Sequence, residues 1–346
     1  MALLLEGMNM DRIGVIGGGS FGSAIADIMA HQGIQVALWF RNLKSAEEFN
    51  QTHENKKYLP GITLSSHIEA TSSLKEASRD CSVVFVCVPS LYFREVAHQL
   101  GAWMDGSQIL ISTTKGIEAS TFKLMTEILR EETCCLKIGA LSGPNLAKEI
   151  AAKIPSGTVI ASRHDEVIEK VQQILSCSYF RVYGNHDVQG VELGGVLKNV
   201  YAIATGLMAS MKMGDNTFGM VLTRGLAEMS RFATQFGANP LTFLGLAGVG
   251  DLVTTCSSPL SRNYRMGYLI GQGKTLKEAI EEVREVAEGV HTIHVVFQKS
   301  KELGIRMHIL EGLHALLFEN KDIPTVLREL MNIPQMEDVE FSLQRH

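Results

Sequence analysis

The stretch Arg12-Ile13-Gly14-Val15-Ile16-Gly17-Gly18-Gly19-Ser20-Phe21-Gly22 carries a strand pattern that ends in glycines and runs directly into helical spacing over Phe21 to His31. Residues 17–22 satisfy G-x-G-x-x-G. Between a strand and a helix, glycines allow a tight turn and let the backbone approach a pyrophosphate. The helix N-terminus then offers that group amide donors and partial positive charge. Taken alone, the pattern fits a glycine-rich turn without a ligand about as well. Its place at the start of a βαβ unit decides for a dinucleotide, with Gly17, Gly19 and Gly22 as contacts.

The rest of the first half keeps the same alternation. Strand patterns at Gln35 to Phe40, Ser82 to Val88, Gln108 to Ile111, Leu136 to Leu141 and Thr158 to Ala161 are mostly separated by helical segments. This predicts a parallel sheet with helices on both faces. Beyond about Asp187 the strand signal stops. Asp187 to Met211, Thr217 to Phe236, Tyr264 to Gly271, Leu276 to Val286, Thr292 to Leu303 and Met307 to Phe318 all carry helical spacing. The expected class is therefore α/β: a Rossmann-type, doubly wound sheet domain over residues 1–186, followed by an all-α substrate domain over 187–346.

At the end of the second strand, an Asp or Glu would hold the ribose 2′-hydroxyl of NAD, whereas an Arg suits the 2′-phosphate of NADP. Leu38-Trp39-Phe40-Arg41-Asn42 has no acid there. Arg41 is the candidate phosphate contact, with NADP(H) accepted beside NAD(H). A solvated loop arginine is the competing reading.

Composition sets outer bounds. At 346 residues the chain exceeds the usual size of one hydrophobic core. Its 45% hydrophobic and 20% charged content is ordinary for a globular protein, and the net charge of −5 argues against non-specific nucleic-acid binding. No stretch approaches the ~20 continuous apolar residues of a membrane span, and Ala2-Leu3-Leu4-Leu5 is too short a run for a signal peptide. The six cysteines (81, 87, 134, 135, 177 and 256) show no C-x-x-C or metal-ligand spacing. Reduced, mostly buried thiols in a cytoplasmic protein without a bound metal are expected. His291 and His294, one helical turn apart with no third ligand nearby, read as structural.

Lys198 stands in the most apolar helical stretch of the chain, Val191 to Ala204, beside Gly194 and Gly195. Residues three and four apart share a helix face, and each glycine costs a helix interior about 1 kcal/mol against alanine. A notch that admits a ligand to a buried amine accounts for that cost. A snorkelling lysine at the helix edge is the plainer alternative. Four further segments point to ligands. Ser112-Thr113-Thr114-Lys115-Gly116 and Ser142-Gly143-Pro144-Asn145 both follow strands, at the sheet end where α/β folds bind. Leu246 to Leu252 is a glycine-rich turn that delivers Asp251. Ser261-Arg262-Asn263-Tyr264-Arg265 gathers two guanidiniums ahead of a helix, a natural phosphate clamp.

In this order the segments resemble the bacterial type of NAD(P)-dependent glycerol-3-phosphate dehydrogenase over nearly the whole chain. The likeness rests on the glycine fingerprint at 17–22, Thr-Lys-Gly at 114–116, Ser-Gly-Pro at 142–144 and Gly-Gly-x-x-Lys-Asn-Val at 194–200. It continues with Thr-Arg-Gly-Leu-Ala-Glu-Met at 223–229, Gly-Asp-Leu at 250–252, Ser-Arg-Asn at 261–263 and Val-Ala-Glu-Gly at 286–289. The resemblance implies reversible NAD(P)H-dependent reduction of dihydroxyacetone phosphate to sn-glycerol 3-phosphate, supplying glycerophospholipid synthesis. It implies Lys198 as the acid/base and Lys115 touching both cofactor and substrate. Gly143, Asn145, Asp251, Ser261, Arg262 and Asn263 would line the substrate, Arg262 also lying near the cofactor. Ser20, Phe21, Arg41, Ala147, Val286 and Glu288 would contact the dinucleotide. Two features depart from the family pattern. Asn145-Leu146 replaces a small hydroxyl residue and an aromatic, and the acidic tail from Ile333 to His346 is unlike the usual ending. The apolar all-α domain makes a homodimer the expected assembly, without integral membrane contact.

Ketone reduction asks specific things of these residues. A proton donor must come within about 2.6–3.2 Å of the developing alkoxide. Lysine starts near a pKa of about 10.4, so burial and a second cation, Lys115 or Arg262, must bring it toward neutrality. Asp251 would orient Lys198 or the substrate hydroxyl, and Asn199 would add a supporting hydrogen bond. Two other readings stay open. One is a related two-domain reductase of the ketopantoate reductase or β-hydroxyacid dehydrogenase type, against which Arg262 with Ser261 and Asn263 favours a phosphorylated substrate. The other is a nucleotide-sensing regulator that kept the fold without the chemistry, although a sensor would need none of Lys198, Lys115 and Asp251.

Overall fold

The computed structural model describes residues 12–283 and 288–334. The leading Ala2 to Leu5 run, Val286 and most of the acidic tail lie outside the described residues. The chain divides into two compact units. One takes Lys123–Val188 with the residues up to Thr114; the other takes Lys115–Phe122 with the residues from Gln189 onward.

Among the described residues of the first unit, eight strands form one sheet: β1 (Arg12–Ile16), β2 (Val36–Trp39), β3 (Ile68–Thr71), β4 (Cys81–Val86), β5 (Ile109–Ser112), β6 (Ile138–Ser142), β7 (Ser156–Ser162) and β8 (Phe180–Asn185). Their order is β3-β2-β1-β4-β5-β6-β7-β8. The chain winds outward from β1 on one side and then resumes at β4 on the other. The reversal falls between β1 and β4, and open α/β sheets bind ligands beyond the carboxyl ends of the strands at such a point.

Central strands run largely apolar, because both faces are covered. Ile13, Val15, Val36, Leu38, Val83, Phe85, Ile109 and Ile111 enter the core on one face, while Ile16, Ala37, Val84, Val86 and Leu110 enter the core on the other. The edge strands β3 and β8 were not among the expected strands, and their sequences show why. Glu69 is exposed between buried Ile68 and Ala70, and Arg181 between buried Phe180 and Val182. A strand with one wet face alternates instead of running apolar.

The sheet departs from the expected parallel pattern at one pairing: β7 runs antiparallel to β6, while the remaining pairs are parallel. The helix between them, Ala147–Ala151, rises only about 7.5 Å. That is too short to carry the chain back along the sheet, so β7 starts from the end at which β6 stops.

The described residues of the second unit hold helices and no strand: Val188–Ser210, Asp215–Thr234, Asp251–Ser257, Arg262–Gly271, Leu276–Val283, Glu288–Glu302, His308–Phe318 and Ile323–Met331. Asp251–Ser257 and Ile323–Met331 are additions to the expected set, too short to show a period in a window of about 11 residues. The helix Val188–Ser210 is buried almost throughout. It meets Arg262–Gly271 backbone to backbone: a Cβ on Gly206 would lie 1.9 Å from the Tyr264 carbonyl oxygen, and one on Gly267 would lie 1.9 Å from that of Ile203. Among the described residues no helix is long and apolar enough to cross a membrane. The six cysteines are free thiols; Cys81, Cys135 and Cys256 are buried, Cys87 and Cys177 half-buried, and Cys134 exposed.

Candidate functional site

In the sheet unit, the glycine turn sits at the carboxyl end of β1. Gly17 has a φ of +131°, which L side chains rarely adopt, and a Cβ on Gly22 would stand 2.0 Å from the Gly17 carbonyl oxygen. The first helical turn can lie on the loop only because position 22 has no side chain. The N–H groups of Gly17 and Gly18 donate to the Trp39 carbonyl at 3.3 and 2.8 Å, tying the turn to β2. Buried Asn55 adds a brace that sequence reasoning missed, donating to the Gly18 carbonyl at 2.9 Å and the Ser23 hydroxyl at 2.8 Å. It lies in an irregular segment with no motif around it.

The cradle fits a pyrophosphate. A Cβ on Gly19 would meet nothing within 4 Å, and the helix Ser20–His31 begins with neither a side-chain cap nor an acid in its first turn. That leaves its leading N–H groups, around half-buried Ser20 and Phe21, to an anionic ligand. Arg41 is exposed just past β2, with its guanidinium 5.6 Å from the centroid of the Tyr92 ring. Neighbouring Asn42 is engaged in capping the helix Leu43–Thr52, accepting from the Lys44 N–H at 2.9 Å.

Elsewhere in the sheet unit, Gly143 turns the chain after β6 with a φ of +136°. The Asn145 amide donates to the Thr158 hydroxyl at 3.0 Å and leaves its own buried oxygen without a partner. At this departure from the family pattern the chain thus presents an acceptor, suited to a hydroxyl and not to a phosphate. Ala147 opens the short helix Ala147–Ala151 and packs against the core.

The helical unit assembles a second constellation. Lys198 is only 6% exposed and donates to Asp251 Oδ1 at 2.5 Å and to Thr255 Oγ1 at 2.6 Å. Lys115 donates to Asp251 Oδ2 at 2.8 Å, so two amines share one buried carboxylate. Burial pushes the Lys198 amine down to about 7; Asp251 opposes the fall and Lys115 adds to it. Thr255 escaped the sequence reading, although it follows Asp251 by one helical turn and so shares its face. The D-x-x-x-T spacing was the available signal.

Asp251 is delivered by a wide π-type turn, Leu246–Gly250, that runs into the helix Asp251–Ser257. Here the structure corrects one expectation. A Cβ on Gly194 would stand 2.5 Å from the Ala247 carbonyl oxygen. At Gly194 the notch therefore holds the Asp251 turn and not a ligand, and its glycine lets the carboxylate reach Lys198.

The remaining polar residues form a linked chain. Asn199 donates to the Gly195 carbonyl at 3.4 Å and accepts from Asn263 at 2.9 Å; Asn263 in turn accepts from the Gly289 N–H at 3.0 Å. The Ser261 hydroxyl caps the helix Arg262–Gly271 by accepting from the Tyr264 N–H at 3.3 Å. Arg262 is exposed at the first position of that helix. Arg265 donates to the Val283 carbonyl at 3.3 Å. Glu288 is half-buried at the start of the helix Glu288–Glu302; Val286 is outside the described residues.

Comparison with known proteins points one way. A family model described as NAD-dependent glycerol-3-phosphate dehydrogenase N-terminus matches residues 12–168, and its C-terminus counterpart matches residues 187–328. Glycerol-3-phosphate dehydrogenase (NAD(P)+) of Acinetobacter baumannii strain SDF is 51% identical over 335 residues, covering 97% of this chain and 94% of its own length. The protein of that name from Teredinibacter turnerae is 50% identical over 333 residues, covering 96% and 98%. The crystal structure of glycerol-3-phosphate dehydrogenase from Coxiella burnetii matches with a TM-score of 0.89 at 33% identity, covering 93% of this chain and 99% of that one.

Proposed function

The chain belongs to the NAD-dependent glycerol-3-phosphate dehydrogenase family, and from that premise we propose that it reversibly reduces dihydroxyacetone phosphate to sn-glycerol 3-phosphate with NAD(P)H. The observation that carries this reading is the pair of amines, Lys198 and Lys115, on the single carboxylate of Asp251. Residues 1–186 supply most of the dinucleotide contacts, and residues 187–346 together with Lys115 supply most of the substrate contacts.

Held on the glycine turn and the start of the helix Ser20–His31, a reduced nicotinamide would supply hydride chemistry to the carbonyl carbon. A protonated Lys198 has three N–H donors, of which Asp251 and Thr255 take two. The third passes its proton to the carbonyl oxygen, and an amine brought down to about 7 gives it up readily near neutral pH. Lys115 stabilises the oxygen as its negative charge develops. Asp251 orients both amines. Asn199 holds Asn263, so that Asn263, Ser261 and Arg262 receive the phosphate, while Gly143 and Asn145 contact the three-carbon body. Gly17, Gly19, Ser20, Phe21, Gly22, Ala147, Val286 and Glu288 hold the dinucleotide, which Lys115 and Arg262 also touch, and Arg41 takes the 2′-phosphate of NADP(H). The product feeds glycerophospholipid synthesis, and the protein works in the cytoplasm as a homodimer.

Loss of reduced-nicotinamide absorbance on adding dihydroxyacetone phosphate tests the reaction. Turnover of an unphosphorylated keto acid in its place would move the assignment to a ketopantoate-type reductase, and no turnover of either would restore the sensor reading. Arg41→Ala should lower the NADPH/NADH specificity ratio about tenfold or more, the worth of one hydrogen bond to a charged group. An unchanged ratio would remove Arg41 from the cofactor.

A further inference from the structure

Lys115 reaches Asp251 from a segment that groups with the helical unit, although the chain on both sides of it groups with the sheet unit. Its covalent ends cannot be what holds it there. Ile117 is buried within it, but the far end carries the more telling geometry. Phe122 has a φ of +60°, an outlier for a bulky side chain. Such conformations persist only where their surroundings over-determine them.

The surroundings are aromatic. The Phe122 ring stacks on Phe236 with centroids 5.1 Å apart at 22°, meets Phe232 edge-on at 5.9 Å, and has the Lys299 ammonium 5.6 Å from its centroid. Phe232 lies on the helix Asp215–Thr234, and Lys299 on Glu288–Glu302. The segment also closes on itself: the Phe122 N–H donates to the Glu118 carbonyl at 2.8 Å, and the Thr121 hydroxyl donates to the Glu118 carboxylate at 2.5 Å.

We propose that Phe122 is a positioning residue: seated on Phe232 and Phe236, it fastens the Lys115–Phe122 strap to the helical unit and so keeps the Lys115 ammonium on Asp251. The strap stands on geometry alone; its kinetic consequence rests on the reading of Lys115 and Lys198 given above. With the strap released, Asp251 serves Lys198 alone. Lys198 then loses a like charge and holds its proton more tightly. The other groups around it, Thr255 and the Cys256 thiol, do not compensate, since burial pushes that thiol up to about 12 and keeps it neutral.

The test uses the full chain. Phe122→Ala should lower kcat/KM for dihydroxyacetone phosphate about tenfold and move the limb of its pH profile near neutrality upward. Lys115→Met should move that limb the same way, and adding Phe122→Ala to it should move it no further. Phe236→Ala, which leaves the strap sequence intact, should repeat the shift. Phe122→Gly relieves the backbone yet removes the ring, so it should match Phe122→Ala; full activity there would overturn the anchor. A limb that stays put in Phe122→Ala while only the melting temperature falls would overturn the positioning role. Hydrogen exchange reads the strap without substrate: amides of 115–122 should exchange faster in Phe122→Ala while those of 215–234 stay protected. Unchanged exchange would sink the strap itself. Wild-type protein inactive on dihydroxyacetone phosphate would sink the functional reading and leave the strap to be judged by exchange.

Discussion

Lys198 and Tyr201 lie three residues apart on one helix, and each meets a buried carboxylate; the two meetings differ in what is left over. At Lys198, two amines share Asp251, and one Nζ–H remains after Asp251 and Thr255 are served. At Tyr201, the phenol donates to Glu228 Oε2 at 3.0 Å, and Glu228 Oε1 accepts from the Ile309 N–H at 2.9 Å, at the start of the helix His308–Phe318. Gly225 makes room for that ring, since a Cβ there would stand 2.6 Å from it. Burial pushes the Glu228 carboxyl up to about 7 and the Tyr201 phenol well above its ordinary value. Both clusters bury ionisable groups. Only the first sets two amines on one carboxylate and keeps an Nζ–H for a substrate, whereas the second ties its carboxyl to a phenol and a backbone N–H.

The comparison can be broken at its strongest point first. Lys198→Met should cut kcat by about 10²–10⁴-fold, the usual worth of a general acid, while fluorescence titration shows NADPH binding nearly unchanged. A variant that keeps substantial turnover would end the contrast. Gly194→Val should come next: its side chain displaces the Ala247 carbonyl and with it Asp251, costing about ten- to a hundredfold in kcat in a protein that still folds. In the wild type, kcat/KM for reduction should fall as pH rises through about 7, where Lys198 loses its proton, and kcat/KM for oxidation should fall as pH drops through it. A profile flat across that range would detach Lys198 from proton transfer.

The smallest effects belong to the closed cluster. Tyr201→Phe should cost about 1–3 kcal/mol of stability in urea unfolding and little kcat. Glu228 sharpens the sign. Its folded pKa of about 7 lies above the ordinary 4.5, so the native state binds the proton more tightly, and this carboxyl's contribution to stability is lost as pH rises from about 4.5 to about 7. Glu228→Gln should flatten that slope. A Tyr201→Phe protein that lost turnover as severely as Lys198→Met would show that the two clusters are one.

The sequence made local features readable and long-range ones invisible. Gly17 to Gly22 could be read because turn, strand and helix all lie within eleven residues of chain, and the central strands because two-sided burial makes them largely apolar. Lys198 stood out because its neighbours are apolar for several turns. Thr-Arg-Gly-Leu-Ala-Glu-Met was visible as a motif, but its task was not: Gly225 and Glu228 act on Tyr201, a partner set by helix packing. Asn55 and Phe122 gave no signal, because their partners come from distant elements. Gly194 was read as an opening because sequence shows where a side chain is missing and not what fills the gap.

The excursion of Lys115–Phe122 also bears on modularity. The run from Gln189 onward does not hold the whole amine–carboxylate cluster: a fragment cut there carries Lys198, Asp251 and Thr255 but leaves Lys115 behind. A chimera with a single crossover at Gln189 would inherit its Lys115 from the first parent and the seat for the Phe122 ring from the second. The success of such a graft would turn on whether those eight residues find the Phe232 and Phe236 surface they were shaped for.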